Sequence, residues 1–374
     1  MTASSSPLEA QFNAAAPRIL FFNVNGSGMG HLNRCLAYAR RLQGRARPFF
    51  FSLASAIEII EEMGFEADYF VSHYWSESST FAWNSELAIR FGMMLERVRP
   101  HAIVFDGTWP FQGFFAACQA YGSPALVWSN RGLLKADGKS VPVDESSFDL
   151  VIQPGELGAV HCESRLAGRG KRVAVPPVCL LEDDELLDRA EARQALGLPP
   201  EGRLVLFSLG PGNLKDVAGI GHGLIDAFKA TGFDIVWARA PISVRDVELP
   251  AGVRPISVYP LARYLRAFDA FVGAAGYNTC CEVVQSRVPA LIVPNAQLAD
   301  DQPRRAQMVA ENIPAVVSAC ETHVERRRAV EQLLAMTNVG QSSRTRVKMN
   351  GASLAADAIF RLLAGEEASV EHHR

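Results

Sequence analysis

The sequence has no apolar run long enough to cross a bilayer, no metal-spaced cysteines and no excess of charge of either sign. A spanning helix needs about 20 consecutive, mostly apolar residues, so any contact with lipid is at most peripheral. The seven cysteines are scattered apart from the neighbours Cys280 and Cys281. They form no CxxC pair and no Cys/His spacing that suits zinc, and they read as reduced thiols of a cytoplasmic protein, at most peripheral at the inner face of the membrane. A net charge of -3 over 374 residues supplies no field that would gather nucleic acid, which is excluded as a partner. Residues 1–16 lack a basic segment followed by an apolar core, so they read as a frayed tail rather than a secretory leader. No repeat of solenoid length is present.

What is present is a rhythm. From Pro17 onward short apolar runs alternate with amphipathic stretches, the pattern of βαβ units and a parallel sheet. Ile19 to Val24, Pro48 to Leu53, Ala102 to Phe105, Ala125 to Trp128 and Leu150 to Ile152 read as buried strands. Leu32 to Leu42, Ala56 to Met63, Ser85 to Val98 and Phe111 to Tyr121 read as helices between them. A loosely patterned segment, roughly Gly155 to Glu182, follows, and then the rhythm restarts with strands at Leu204 to Ser208, Ile235 to Ala238, Phe271 to Val272 and Ala290 to Val293. The expectation is an α/β protein of two Rossmann-like domains with parallel sheets facing a central cleft, residues 17–170 and 171–374. The last helix, about Ala352 to Leu363, either closes the second domain or crosses back over the first.

The first strand runs into Asn25-Gly26-Ser27-Gly28-Met29-Gly30-His31, and a helix begins at once. Gly28 and Gly30 let a ligand approach the backbone where unpaired helix N–H groups are exposed. His31, on the first turn, lies at the mouth of the sheet and is placed to accept a proton at neutral pH; the alternative is a capping or packing histidine. Asp106 ends a strand at the same carboxyl edge, where it orients His31 or serves as a turn residue before Gly107.

The densest stretch is Gly273-Ala274-Ala275-Gly276-Tyr277-Asn278-Thr279-Cys280-Cys281-Glu282, followed by a strand and Asp300-Asp301-Gln302. Gly276 leaves room for phosphate, and Tyr277, Asn278 and Thr279 open a helix whose positive end faces a diphosphate. Glu282 lies a turn further along, within reach of ribose hydroxyls. This segment resembles the donor-binding signature of GT-B glycosyltransferases, particularly the family of the peptidoglycan lipid-linked N-acetylglucosaminyltransferase. The resemblance implies that Glu282 binds the donor ribose, that Asp301 and Gln302 bind sugar hydroxyls, and that His31 with Asp106 supplies the catalytic base. It also implies metal-independent chemistry without a cofactor. Ser208 to Asn213 resembles the family's other phosphate-facing loop, with Gly210, Gly212 and Asn213 toward the donor, or is an ordinary βα connection. One departure stands out: relatives place a histidine or arginine against the diphosphate before the glycine turn, where this chain has Ala274 and Ala275.

Four of the five tryptophans fall in the N-terminal half, and Trp109, just beyond Asp106, is the candidate wall of an acceptor pocket. The reading is an inverting transfer of a sugar from a nucleotide-diphospho-sugar, with uridine favoured by the resemblance, to a small-molecule, glycan or lipid-linked acceptor. Two rivals keep the fold: a nucleotide-sugar hydrolase or 2-epimerase, and a non-catalytic nucleotide-sugar-binding partner of another transferase.

Overall fold

The computed structural model describes residues 16–24, 28–122, 124–130, 133, 144–158, 171–210, 217–242, 248–295, 300–337 and 347–365. It contains two Rossmann-like α/β units. The first is built on a seven-stranded sheet of order β3-β2-β1-β4-β5-β6-β7. Its strands are β1 (Arg18–Asn23), β2 (Arg47–Ser52), β3 (Glu66–Tyr69), β4 (Ala102–Asp106), β5 (Ala125–Ser129), β6 (Leu150–Pro154) and β7 (Lys171–Val175). Every pairing is parallel. The central strands are apolar at consecutive positions because helices cover both faces of the sheet.

Helix α1 (Gly30–Leu42) follows β1, α2 (Ile57–Glu62) follows β2, α3 (Thr80–Val98) follows β3 and α4 (Gln112–Tyr121) follows β4. Helix α3 starts where the Ser79 hydroxyl accepts the Ala82 N–H, five residues before the sequence pattern suggests, and ends at Arg99 in the left-handed region. One face of the sheet packs on α3 and α4 through an aromatic layer. In it the Phe22 ring lies 5.0–5.4 Å from those of Phe51, Phe91, Phe105 and Phe114. Trp83 and Trp128 belong to this core and are buried.

The second unit has a six-stranded parallel sheet of order β10-β9-β8-β11-β12-β13. Its strands are β8 (Arg203–Ser208), β9 (Phe233–Ala238), β10 (Val253–Ile256), β11 (Ala270–Ala274), β12 (Ala290–Val293) and β13 (Ala315–Val317). Helix α5 (Arg189–Ala195) precedes this sheet. Helices α6 (Val217–Lys229), α7 (Tyr277–Ser286), α8 (Gln302–Asn312) and α9 (His323–Thr337) flank it.

The connecting segment holds more order than its composition suggests, because β7 lies within it and extends the first sheet to Val175. The final helix, α10 (Gly351–Ala364), packs on α1 and on β5, β6 and β7 of the first sheet. Arg45 on the loop after α1 pairs with Asp357 at 2.5 Å and lies over the Phe360 ring. Where α10 starts, the chain crosses the connecting segment so closely that a Cβ on Gly351 would stand 1.9 Å from the Pro176 carbonyl oxygen. Only glycine fits there. The crossing is fixed by a bridge between Val178 and Asn350 and by the Gly351 N–H donating to the Pro177 carbonyl. One apolar cluster runs without interruption from α1 and α10 through the connecting segment to α7 and α8.

Candidate active site between the two sheets

The carboxyl edge of the first sheet gathers Asn23, Asp106 and Ser129 side by side, since β1, β4 and β5 pair in register at these positions. Asp106 is fully buried. Its Oδ1 lies 2.6 Å from His31 Nδ1 and accepts Arg34 Nη2 at 2.5 Å, while Oδ2 accepts Arg34 Nε at 3.0 Å and the Ser129 hydroxyl at 2.7 Å. Ser129 Oγ in turn lies 3.1 Å from the Tyr38 hydroxyl. Burial alone would favour a neutral Asp106, but the Arg34 guanidinium and the His31 hydrogen bond outweigh it and hold the carboxyl below its usual range. Asp106 is therefore ionised.

With Asp106 ionised, Nδ1 is the ring nitrogen that donates to it, and in the neutral imidazole the lone pair is then on Nε2. Arg34 Nη2 also stands 2.9 Å from Nδ1. A single ring nitrogen cannot both donate to Asp106 and accept from Arg34, so Nη2 gives its hydrogen to Oδ1. The imidazole, 16% exposed, is thus held in one tautomer at the start of α1. Sequence reasoning paired His31 with Asp106 but missed Arg34, which is buried with its guanidinium carbon 5.5 Å from the centre of the Tyr277 ring.

Tyr277 belongs to the second unit and opens α7. Its side chain is buried; the hydroxyl donates to the Gly155 carbonyl at 2.9 Å and accepts the Val178 N–H at 3.0 Å. Only its backbone can face a ligand. Gly276 is the N-cap residue of α7 and has ordinary extended torsions. A Cβ there would find nothing nearer than Thr279 Oγ1 at 3.7 Å, and at Gly28 and Gly30 it would meet nothing within 4 Å. Neither packing nor backbone conformation demands glycine at these three positions, whereas Gly210 has φ +90° and needs it for its turn. Gly212 and Asn213 lie outside the described residues.

Glu282, on the second turn of α7, is partly buried, and loss of water around it pushes its carboxyl up to about 8. Tyr259, on the loop after β10, lies near it and donates its hydroxyl to Asn33 of α1 at 2.8 Å. The loop after β10 is therefore tied to the first unit.

Within the acidic-amide motif the three side chains take different partners. Asp301 caps α8 by accepting the Arg304 N–H, and the Gln302 carbonyl oxygen accepts the Asn295 N–H at 2.9 Å. The inward carboxylate is Asp300, which forms a two-pronged pair with the fully buried Arg305. Arg305 also takes Glu156 of the first unit at 2.8 and 2.9 Å and donates to the Ala275 carbonyl. Its guanidinium carbon lies 5.8 Å from the centre of the Tyr277 ring. Glu156 and Arg305 were missed because they stand 149 residues apart, and nothing in either local pattern announces the other. Trp109 is 39% exposed, beside Asp106 on the loop after β4, and Trp75 and Tyr74 are exposed on the loop after β3 at the same sheet edge. Among the described residues no group of three or more His, Cys, Asp or Glu side chains is arranged to hold a metal ion. Among them, too, no helix is long and apolar enough to cross a membrane.

Two Rossmann-like units with parallel sheets, linked by one apolar cluster, make up a GT-B fold. No protein-family model matches the sequence, and no curated protein matches it. Solved structures do resemble it. The glycotransferase of kitacinnamycin aligns over 93% of this chain and 99% of its own at 17% identity, with a TM-score of 0.57. The UDP-GlcNAc 2-epimerase from Neisseria meningitidis bound to UDP-GlcNAc aligns over 93% and 100% at 11% identity, with a TM-score of 0.61. MurG of Acinetobacter baumannii aligns over 92% and 99% at 13% identity, with a TM-score of 0.54. At these identities the likeness is one of fold.

Proposed function

We propose that this chain is a metal-independent glycosyltransferase that takes a sugar from a nucleotide-diphospho-sugar, with uridine as the expected base, and passes it with inversion to an acceptor hydroxyl. The observation that carries the reading is the His31–Asp106 pair with its proton assigned to Nδ1, on a helix that packs against the N-terminus of α7. Nε2 of His31 takes the acceptor proton as the oxygen attacks the anomeric carbon from the face opposite the nucleotide. Asp106 steadies the imidazolium. Charge developing on the departing diphosphate meets the N–H groups of Tyr277, Asn278 and Thr279 at the positive end of α7, a kind of contact whose loss raises barriers by about 3 kcal/mol.

Open space around Gly28, Gly30 and Gly276 supports close approach of the donor to backbone. Glu282 accepts the ribose hydroxyls. The Gln302 amide donates to the sugar hydroxyls, with Asp301 beside it. Trp109 forms one wall of the acceptor pocket, where a small molecule, glycan or lipid-linked substrate stacks. Gly210, Gly212 and Asn213 would add N–H donors from the loop after β8. The protein acts in the cytoplasm, at most peripherally attached to a membrane.

The test is a thermal-shift screen of nucleotide sugars followed by turnover of the stabilising donor with candidate acceptors. His31→Ala is expected to lower turnover about 100-fold or more with little change in donor affinity. A His31→Ala protein with full turnover refutes the base assignment. Donor alone separates the rivals: free sugar or an isomerised donor at the turnover rate identifies a hydrolase or epimerase, and binding without turnover under any acceptor identifies a non-catalytic partner.

A further inference from the structure

We propose that Arg34 is a positioning residue whose charge offsets that of Asp106, so that His31 is oriented by a carboxylate without being locked as an imidazolium. The inference rests on the base reading above, and it assigns a task to a residue which that reading leaves idle.

The difficulty it resolves is electrostatic. A buried carboxylate 2.6 Å from Nδ1 orients the ring but also favours the protonated form, in which Nε2 has no lone pair to offer. Arg34 removes the second effect and keeps the first. Its Nε and Nη2 grip both oxygens of Asp106, and Nη2 stands as close to the ring as the carboxylate does, within a few tenths of an ångström. An imidazolium therefore meets one negative and one positive charge at similar range. The guanidinium itself stays charged, since Asp106 stabilises it against burial.

The ionisable groups packed against the pair on α1 and α7 are uncharged at neutral pH. Cys35 and Tyr38 on α1 and Tyr277 on α7 are buried and held protonated well past neutral pH, chiefly by loss of water. Ser129 on β5 is neutral. Beyond Tyr277, Arg305 is paired with both the Glu156 and Asp300 carboxylates, one positive charge with two negative ones, on the far side of the tyrosine ring. Asp106 and Arg34 are the two charged side chains in direct contact with His31 Nδ1. The remaining Arg34 nitrogen, Nη1, has no hydrogen-bond partner, and the Tyr277 ring lies over the guanidinium. The charge that tunes the base therefore rests against the first residue of the helix proposed to hold the diphosphate.

The experiment follows the His31 ring by NMR in protein carrying 13Cε1-labelled histidine, assigned by the signal lost in His31→Ala, and needs no substrate. Arg34→Met is expected to raise the His31 midpoint by about one to two pH units. Asp106→Asn is expected to lower it, and the charge-neutral double variant Arg34→Met/Asp106→Asn to return it close to wild type. Arg34→Lys, which keeps the charge and loses the fork, is expected to hold the wild-type midpoint. An Arg34→Met midpoint that stays put, or moves in the same direction as that of Asp106→Asn, overturns the proposal. If Arg34→Met does not fold, the double variant must titrate above Asp106→Asn alone, and equal midpoints overturn it. Turnover of His31→Ala remains a separate test, so a failed base assignment and a failed charge offset give different results.

Discussion

Replacing Glu282 by glutamine is expected to make the protein more stable and a poorer binder of nucleotide sugars. The folded protein holds the Glu282 proton up to about 8, against an ordinary value of 4.5, because neighbouring atoms exclude water from the carboxyl. Below pH 4.5 the folded and unfolded chains both carry the proton, and the residue does not penalise folding. Between these values the unfolded chain releases its proton while the folded chain keeps it, so stability falls as pH rises; above 8 the loss is complete. The full interval corresponds to a ceiling of about 5 kcal/mol. Glu282 retains some contact with water, which reduces the expected gain in Glu282→Gln to about 1–2 kcal/mol, or roughly 3–6 °C in Tm for a domain of this size.

The same exchange removes the anionic acceptor for the ribose diol. A hydrogen bond to a charged group contributes about 1.5–3 kcal/mol, so affinity for a nucleotide-diphospho-sugar should fall about 10- to 100-fold. Wild-type affinity should rise from pH 6.5 to 8.5 as the carboxylate becomes available, while that of the variant stays flat. Differential scanning fluorimetry at pH 4.5 and 8.5, with calorimetric titration of the ligand across the range, reads both effects. A Glu282→Gln protein that is less stable than wild type at pH 8.5, or a wild-type affinity indifferent to pH, refutes the reasoning.

Two further substitutions separate ligand contact from packing. Gly276→Ala adds a methyl group where the protein leaves room, so Tm is expected to change by less than about 2 °C while nucleotide-sugar affinity falls at least about tenfold; a variant that binds normally contradicts the close approach of phosphate. Gly351→Ala forces a Cβ onto the Pro176 carbonyl at the crossing of α10 and the connecting segment, and should destabilise by about 2 kcal/mol or more in urea unfolding; an unchanged midpoint would show that the crossing yields easily.

The central strands of both sheets were legible in the sequence because each is a continuous apolar run between turn signals. The four strands that escaped, β3, β7, β10 and β13, are the outermost strands of their sheets. An edge strand is covered less completely and can be polar, as Glu66–Tyr69 is, or very short, as the three-residue Ala315–Val317 is. The candidate site residues followed the same logic. His31, Asp106 and Glu282 could be picked out because strand ends and helix starts mark the ligand edge of a doubly wound sheet. Arg34 could not, since an arginine three residues after His31 reads as solvent-facing until the buried Asp106, 72 residues away, is seen to receive it. In the acidic-amide motif, adjacency disguised the roles: Asp301 caps a helix while Asp300 turns inward to Arg305.

Where the nucleotide sits decides whether the N-terminus of α7 holds the donor. A crystal structure of the protein with uridine diphosphate is predicted to show phosphate oxygens about 3 Å from the backbone nitrogens of Asn278 and Thr279, with the ribose hydroxyls on the Glu282 carboxylate. A nucleotide bound away from the N-terminus of α7, with Gly276 and Glu282 untouched, would contradict it.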